Sequence, residues 1–231
     1  MAVPTAQMNK PKVKTAVFDL DGTLLDTTVD LALAVNHALG AFGLPRRPEA
    51  DIIAFTGNGI VRLVERSVPE GTPRELWQQV FDEFKRWYGE HALDHTEPYD
   101  GVRECVEALL AAGVRCAVVS NKADFAVQEI IAARMPGLFG AVIGECEAVG
   151  IRKKPAPDMV EAALERLGAG REGLVYIGDS EVDVATARAC GCPCVSCSWG
   201  FRSREELVEA GATTIVDTPD ELRRVLLDMG A

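Results

Sequence analysis

Apolar and polar positions follow two different rhythms along this chain. Residues 13–18 form a short apolar run rich in β-branched side chains, the pattern of a buried strand, and it halts at Asp19 and Asp21, one residue apart. Gly22 then lets the backbone turn sharply. Beyond it the spacing becomes helical. Thr27 or Thr28 caps a helix with Leu31, Val35, Leu39 and Phe42 on one face, ending near Gly43-Leu44-Pro45. Further helices are predicted over 48–55, 60–67 and 72–91, the last carrying Leu76, Val80, Phe84 and Trp87 at helical spacing. The turn Thr56-Gly57-Asn58-Gly59 joins the second and third, and no strand is expected between Asp26 and Thr96.

From Pro98-Tyr99-Asp100-Gly101 onward, strands and helices alternate. Helices are predicted over 102–112, 124–134, 158–167, 182–190, 204–209 and 219–229, and strands over 114–119, 141–143, 174–177, 192–197 and 214–216. Repeated βα units imply a parallel sheet covered by helices on both faces. The expected fold is therefore α/β, a Rossmann-like parallel sheet with an all-helical domain inserted after the first strand. Residues 1–26 and 99–231 would form the core, and 27–98 the inserted block.

Composition narrows the partners. The 231 residues are 48% hydrophobic and 26% charged, enough for a full-sized globular core. A net charge of −11, spread along the chain, argues against nucleic acid and anionic membranes, but leaves room for an anionic small molecule where local cations and a metal dominate one cleft. No apolar run approaches the ~20 residues of a membrane span, and residues 1–10 lack a signal-peptide core. Seven cysteines fall on predicted helices and strands, so reduced thiols and a cytoplasmic setting are expected.

The strands are most informative where they end. Asp19 and Asp21 close the first, Ser120-Asn121 the 114–119 strand, and Gly178-Asp179-Ser180, with Asp183 four residues past Asp179, the 174–177 strand. Arg152-Lys153-Lys154-Pro155-Ala156-Pro157 precedes a helix. In an open parallel sheet, ligands bind beyond the carboxyl ends of the strands, where these groups would gather. Asp19, Asp179 and Asp183 make an all-oxygen site suited to Mg²⁺, with no His or Cys in those loops to favour zinc. Ser120, neighbouring amides and Lys154 suit phosphate oxygens. A carboxylate can act as nucleophile and form an acyl-phosphate, while Asp21 is spaced to protonate a leaving oxygen and then activate water. Singly, each stop also fits something plainer: a strand-end turn or calcium loop at Asp19–Gly22, helix caps at Ser120 and Ser180, a solvated cation at Lys154. Jointly and in this order they favour chemistry.

Asp19-Leu20-Asp21-Gly22-Thr23, Ser120, Lys154 and Gly178-Asp179-Ser180…Asp183 together resemble the four signatures of the haloacid dehalogenase superfamily, over essentially residue 14 to the C-terminus. The resemblance implies Asp19 as phosphorylated nucleophile and Asp21 as general acid/base that also gives Mg²⁺ its main-chain carbonyl. It implies Ser120 as phosphoryl holder and Lys154 as neutralising cation, with Gly22, Thr23 and Asn121 beside them. Asp179 would ligate Mg²⁺, and Asp183 would act through water or by orienting Lys154. Asp21 also separates phosphatases from true dehalogenases. The inserted helices resemble the family's small cap, and Thr56-Gly57-Asn58-Gly59…Leu63-Val64-Glu65-Arg66 and Ser198-Trp199-Gly200-Phe201-Arg202 resemble the phosphoglycolate phosphatase subgroup. The expectation is a Mg²⁺-dependent phosphatase of a small phosphorylated metabolite, monomer or homodimer, with phosphoglycolate leading. Arg62, Asn58 or the Gly59 amide would then hold the substrate carboxylate beside Gly57. A sugar phosphomutase or pyrophosphatase of the same family, and a catalytically silent binding module, are the alternatives.

Other features carry plainer expectations. Cys190, Cys192, Cys194 and Cys197 are expected to pack as small apolar residues, since Cys197 points away from Cys192 and Cys194 on one strand. His91 and His95 lack a third ligand and are expected in solvent.

Overall fold

The computed structural model describes residues 13–146 and 150–229. After β1 (Thr15–Phe18) and β2 (Leu25–Asp26) come α1 (Thr28–Ala41), α2 (Glu49–Phe55), α3 (Ile60–Ser67) and α4 (Arg74–His91). Then follow β3 (Glu97–Pro98), α5 (Val102–Ala111), β4 (Arg115–Ala123), α6 (Asp124–Arg134), β5 (Ala141–Glu145) and α7 (Asp158–Leu167). The chain closes with β6 (Leu174–Gly178), α8 (Glu181–Cys190), β7 (Cys194–Cys197), α9 (Arg204–Glu209), β8 (Ile215–Val216) and α10 (Pro219–Asp228). Among the described residues, no helix is long and apolar enough to cross a membrane.

Six strands form one parallel sheet in the order β5-β4-β1-β6-β7-β8. Every residue of β1 is buried, and the strand's alternation divides them between two apolar layers. Ala16 and Phe18 pack on one side with residues of α5, α6 and α10, and Val17 on the other with residues of α7 and α8. The helices α1–α4 enclose an apolar cluster of their own, with Leu31, Val35 and Leu39 against Ile52, Leu63, Val80, Phe84 and Tyr88.

Several local expectations change. Leu25–Asp26 pairs antiparallel with Glu97–Pro98, so a two-residue ribbon stands where the helical block leaves and rejoins the sheet. Strands that short carry no period. Phe42 is exposed, because α1 ends one residue earlier and the tightening turn rotates it off the apolar stripe. β4 does not stop at Ser120 but runs to Ala123, with a register shift against β5 between Val119 and Ala123; such irregularities re-aim side chains. β7 begins at Cys194, leaving Cys192 before it. His95 is exposed, as expected, yet its Nδ1 lies 2.8 Å from Asp30, and the buried Asp30 carboxylate also accepts from the amides of His95 and Thr96. That ligature ties the start of α1 to the returning chain.

Candidate functional site

β1 lies between β4 and β6, and the chain builds outward from it on both sides, so the carboxyl ends of these three strands meet at the topological switch point. Asp19, Ser120 and Asp179 therefore face one cleft, together with Asp21, Asn121, Lys122 and Lys154. Leu31, Gly57, Gly59, Ile60 and Leu63 bring the helical block over it.

The floor is a tight charge lattice. Lys154, buried, places Nζ 2.8 Å from Asp19 and 2.8 Å from Asp183. Burial works against its charge, but the carboxylates of Asp183 and Asp19 outweigh burial and hold the ammonium above its usual range. Asp183 is fully engaged. One oxygen accepts from Lys154 and Tyr176, the other from the amides of Asp179 and Ser180 and the Ser180 hydroxyl. Asp179 accepts from the Thr23 hydroxyl at 3.0 Å and the Phe201 amide at 2.7 Å. Gly22 has φ of +82°, and any Cβ there would collide with the Asp179 carboxylate.

Asp19, Asp179 and Asp183 offer oxygens within 4.8 Å of one another. Burial, then Asp183, pushes Asp19 well above the ordinary carboxylate range against Lys154, and the same causes push Asp179 up to about 7. A buried all-oxygen cluster short of positive charge fits a hard divalent cation, and Mg²⁺ is its cofactor. With Asp183 engaged, Asp19 and Asp179 are the carboxylates left to ligate. The sign of the pH effect follows. Asp179 binds its proton more tightly folded than unfolded, so its contribution to stability is full below about pH 4 and lost as pH rises through about 7. The metal-free protein should melt at a lower temperature at pH 8 than at pH 6, and excess Mg²⁺ should raise the melting temperature more at pH 8. Thermal melts with EDTA and with Mg²⁺ at the two pH values test this; equal Mg²⁺ effects would contradict it.

Asp21 lies outside that cluster. Its carboxylate accepts from Lys122 Nζ at 2.6 Å, and the same ammonium donates to Tyr88 on α4 at 2.9 Å. Lys122 is a site residue that sequence reasoning missed. Its one signal was position, two residues after Ser120 and next to Asn121 at a strand end. Burial disfavours its charge, but Asp21, then Tyr88, hold the ammonium above its usual range.

The other predicted residues separate. Ser120 lines the cleft, where its hydroxyl accepts from the Lys122 amide. Asn121 lines it too, but its side chain is committed to the main chain of Lys154 and to the Gly57 carbonyl, so it positions Lys154. Gly22 and Thr23 support Asp179 from behind. Gly57 and Gly59 line the cleft, whereas Asn58 does not. Arg62 also stays outside, exposed and paired with Glu65 at 2.7 Å, because the turn of α3 that faces inward presents Leu63. Arg202, unassigned by sequence, lines the cleft instead. Cys190 and Cys197 are buried and Cys192 and Cys194 partly so, and all four are free thiols.

Residues 16–197 match the haloacid dehalogenase-like hydrolase family. The chain is 33% identical over 222 residues to the phosphoglycolate phosphatase of Chromobacterium violaceum, covering 93% of this chain and 97% of that one. To the phosphoglycolate phosphatase of Haemophilus influenzae strain 86-028NP it is 32% identical, over 90% and 96% of the two chains. A crystal structure from Lactobacillus delbrueckii subsp. bulgaricus superimposes with a TM-score of 0.88 at 37% identity, over 94% and 99% of the chains.

Proposed function

The chain belongs to the haloacid dehalogenase-like hydrolase family and is a Mg²⁺-dependent phosphatase of small phosphate esters, and from that premise we propose that its ester is phosphoglycolate, cleaved through an aspartyl-phosphate on Asp19. The observation that carries the reading is the pairing of two carboxylates with two separate lysines, Asp19 with Lys154 at 2.8 Å and Asp21 with Lys122 at 2.6 Å, on one cleft. Environments that differ in this way suit a nucleophile and a proton carrier.

In the first step an Asp19 carboxylate oxygen bonds to phosphorus as the ester P–O bond breaks, and Asp21 gives its proton to the departing glycolate oxygen. In the second, Asp21 takes a proton from water, the water oxygen bonds to phosphorus, and the acyl-phosphate P–O bond breaks to free Asp19 and inorganic phosphate. Lys154 and the Ser120 hydroxyl face the transferring oxygens. Mg²⁺, when bound by Asp19, Asp179 and the Asp21 main chain, would offset charge between nucleophile and phosphoryl group. Residues 1–26 and 99–231 act as the catalytic unit and 27–98 as its cap; the separate apolar cluster of α1–α4 supports that division.

Lys122 holds Asp21 in place for proton transfer. Lys122→Met should lower kcat by about 10²-fold, the usual scale of an acid–base contribution, with KM changed much less. Steady-state phosphate release measures both, and an unchanged kcat would contradict it. The substrate is tested by phosphate release from phosphoglycolate, pyrophosphate, sugar phosphates and nucleotides with Mg²⁺ and with EDTA. Phosphoglycolate should have the highest kcat/KM; a preferred sugar phosphate or pyrophosphate would overturn it.

A further inference from the structure

The cleft holds three buried cations, and two of them are occupied. Lys154 is shared by Asp19 and Asp183, and Lys122 by Asp21 and Tyr88. The third, Arg202, follows Phe201, whose amide holds Asp179. It is buried at 8% exposure, yet none of its bonds reaches the reacting carboxylates. Nε donates to Glu181 at 2.9 Å, and Nη2 to the Thr56 carbonyl at 2.9 Å and more weakly to Glu181. Both Nη1 hydrogens lack an acceptor among the described residues. A guanidinium has five donors, and the two free ones, both on Nη1, can donate to an anion.

The surroundings favour a small one. Gly57, at φ +99°, brings bare main chain over Arg202; an added Cβ would lie 3.6 Å from Nη2. Glu181, the opposing anion, is half exposed, so solvent already weakens its hold.

We propose that Arg202, through its free Nη1 end, binds the carboxylate of the leaving group and makes this enzyme selective for monophosphate esters of short hydroxycarboxylic acids. This rests on the phosphoglycolate reading above. It assigns to the core a contact that the sequence placed on the cap. Phosphoryl and carboxylate groups are then held on one cleft, one by the Asp19 lattice and the other by Arg202.

The test compares kcat/KM for phosphoglycolate with that for ethyl phosphate, which lacks the carboxylate, in wild type, Arg202→Met, Arg202→Lys and Glu181→Gln. A charge-assisted contact predicts that the ratio of the two falls about 30-fold in Arg202→Met, recovers in part in Arg202→Lys, and does not fall in Glu181→Gln. If Arg202 only braces the loop, both esters slow together and the ratio stays put, which overturns the proposal while a high wild-type ratio keeps the phosphoglycolate reading. A wild-type ratio near one removes both. Calorimetry with Asp19→Asn protein adds a readout free of turnover: Arg202→Met should weaken phosphoglycolate binding by a similar factor and inorganic phosphate binding much less. Equal weakening of the two ligands would also overturn it.

Discussion

Asp19→Asn should abolish phosphate release, with kcat lower by at least about 10⁴-fold, because an amide cannot serve as the nucleophile and no covalent intermediate forms. The loss is chemical and not structural. Asp19 is a buried carboxylate that burial and Asp183 push toward its neutral form, so a neutral isostere removes repulsion from the site. Lys154 keeps its second partner, Asp183, at 2.8 Å. The metal-free variant should therefore melt no lower than wild type at pH 8. Rapid-quench labelling with a ³²P-labelled ester should find an acid-stable protein phosphate in wild type and none in the variant. Activity within about tenfold of wild type would mean that another group attacks phosphorus.

Lys154→Met should cost both stability and activity. The side chain is 2% exposed and lies 2.8 Å from each of two buried carboxylates, and its loss leaves Asp19 and Asp183 without a counter-ion. Removing one partner from a buried ion pair costs about 3–5 kcal/mol, far beyond an exposed pair. Asp19, already pushed up by burial and Asp183, is then pushed up further, because Lys154 no longer opposes them. The deficit should widen as pH rises, larger at pH 8 than at pH 5. Loss of the cation facing the transferring phosphoryl group should lower kcat by at least about 10²–10³-fold. Denaturant unfolding at the two pH values and phosphate release check the two halves. A double-mutant cycle is sharper: Asp19→Asn in the Lys154→Met background should recover stability, since it removes one stranded charge. Loss without recovery would place the instability elsewhere.

The wall of the cleft was less legible than its floor. Asp19, Asp179 and Lys154 follow apolar strands or precede a helix at spacings a reader can count, and a parallel sheet brings such strand ends together. Lys122 carries no such mark. It meets Asp21 across 101 residues of sequence and Tyr88 across 34, through a strand that continues past Ser120 where polar residues signalled its end. Arg62 was a candidate for the substrate carboxylate, whereas Arg202 entered only as the end of a stretch that resembles the subgroup. Only the rotation of α3, which turns Leu63 inward and Arg62 out to Glu65, separates them.

Periodicity and local chemistry determined the parallel sheet, the inserted helices and the gathering of acids at the strand ends, because each depends on neighbours a few residues away or on strand order; the role of Asp19 as nucleophile came from the family resemblance. The tertiary structure decided that Lys122 pairs with Asp21, that Asn121 serves Lys154, and that Arg202 keeps both Nη1 hydrogens without an acceptor among the described residues. Those depend on how the helical block seats against the sheet, and a burial difference of one helical turn there changes a solvated charge into a paired one.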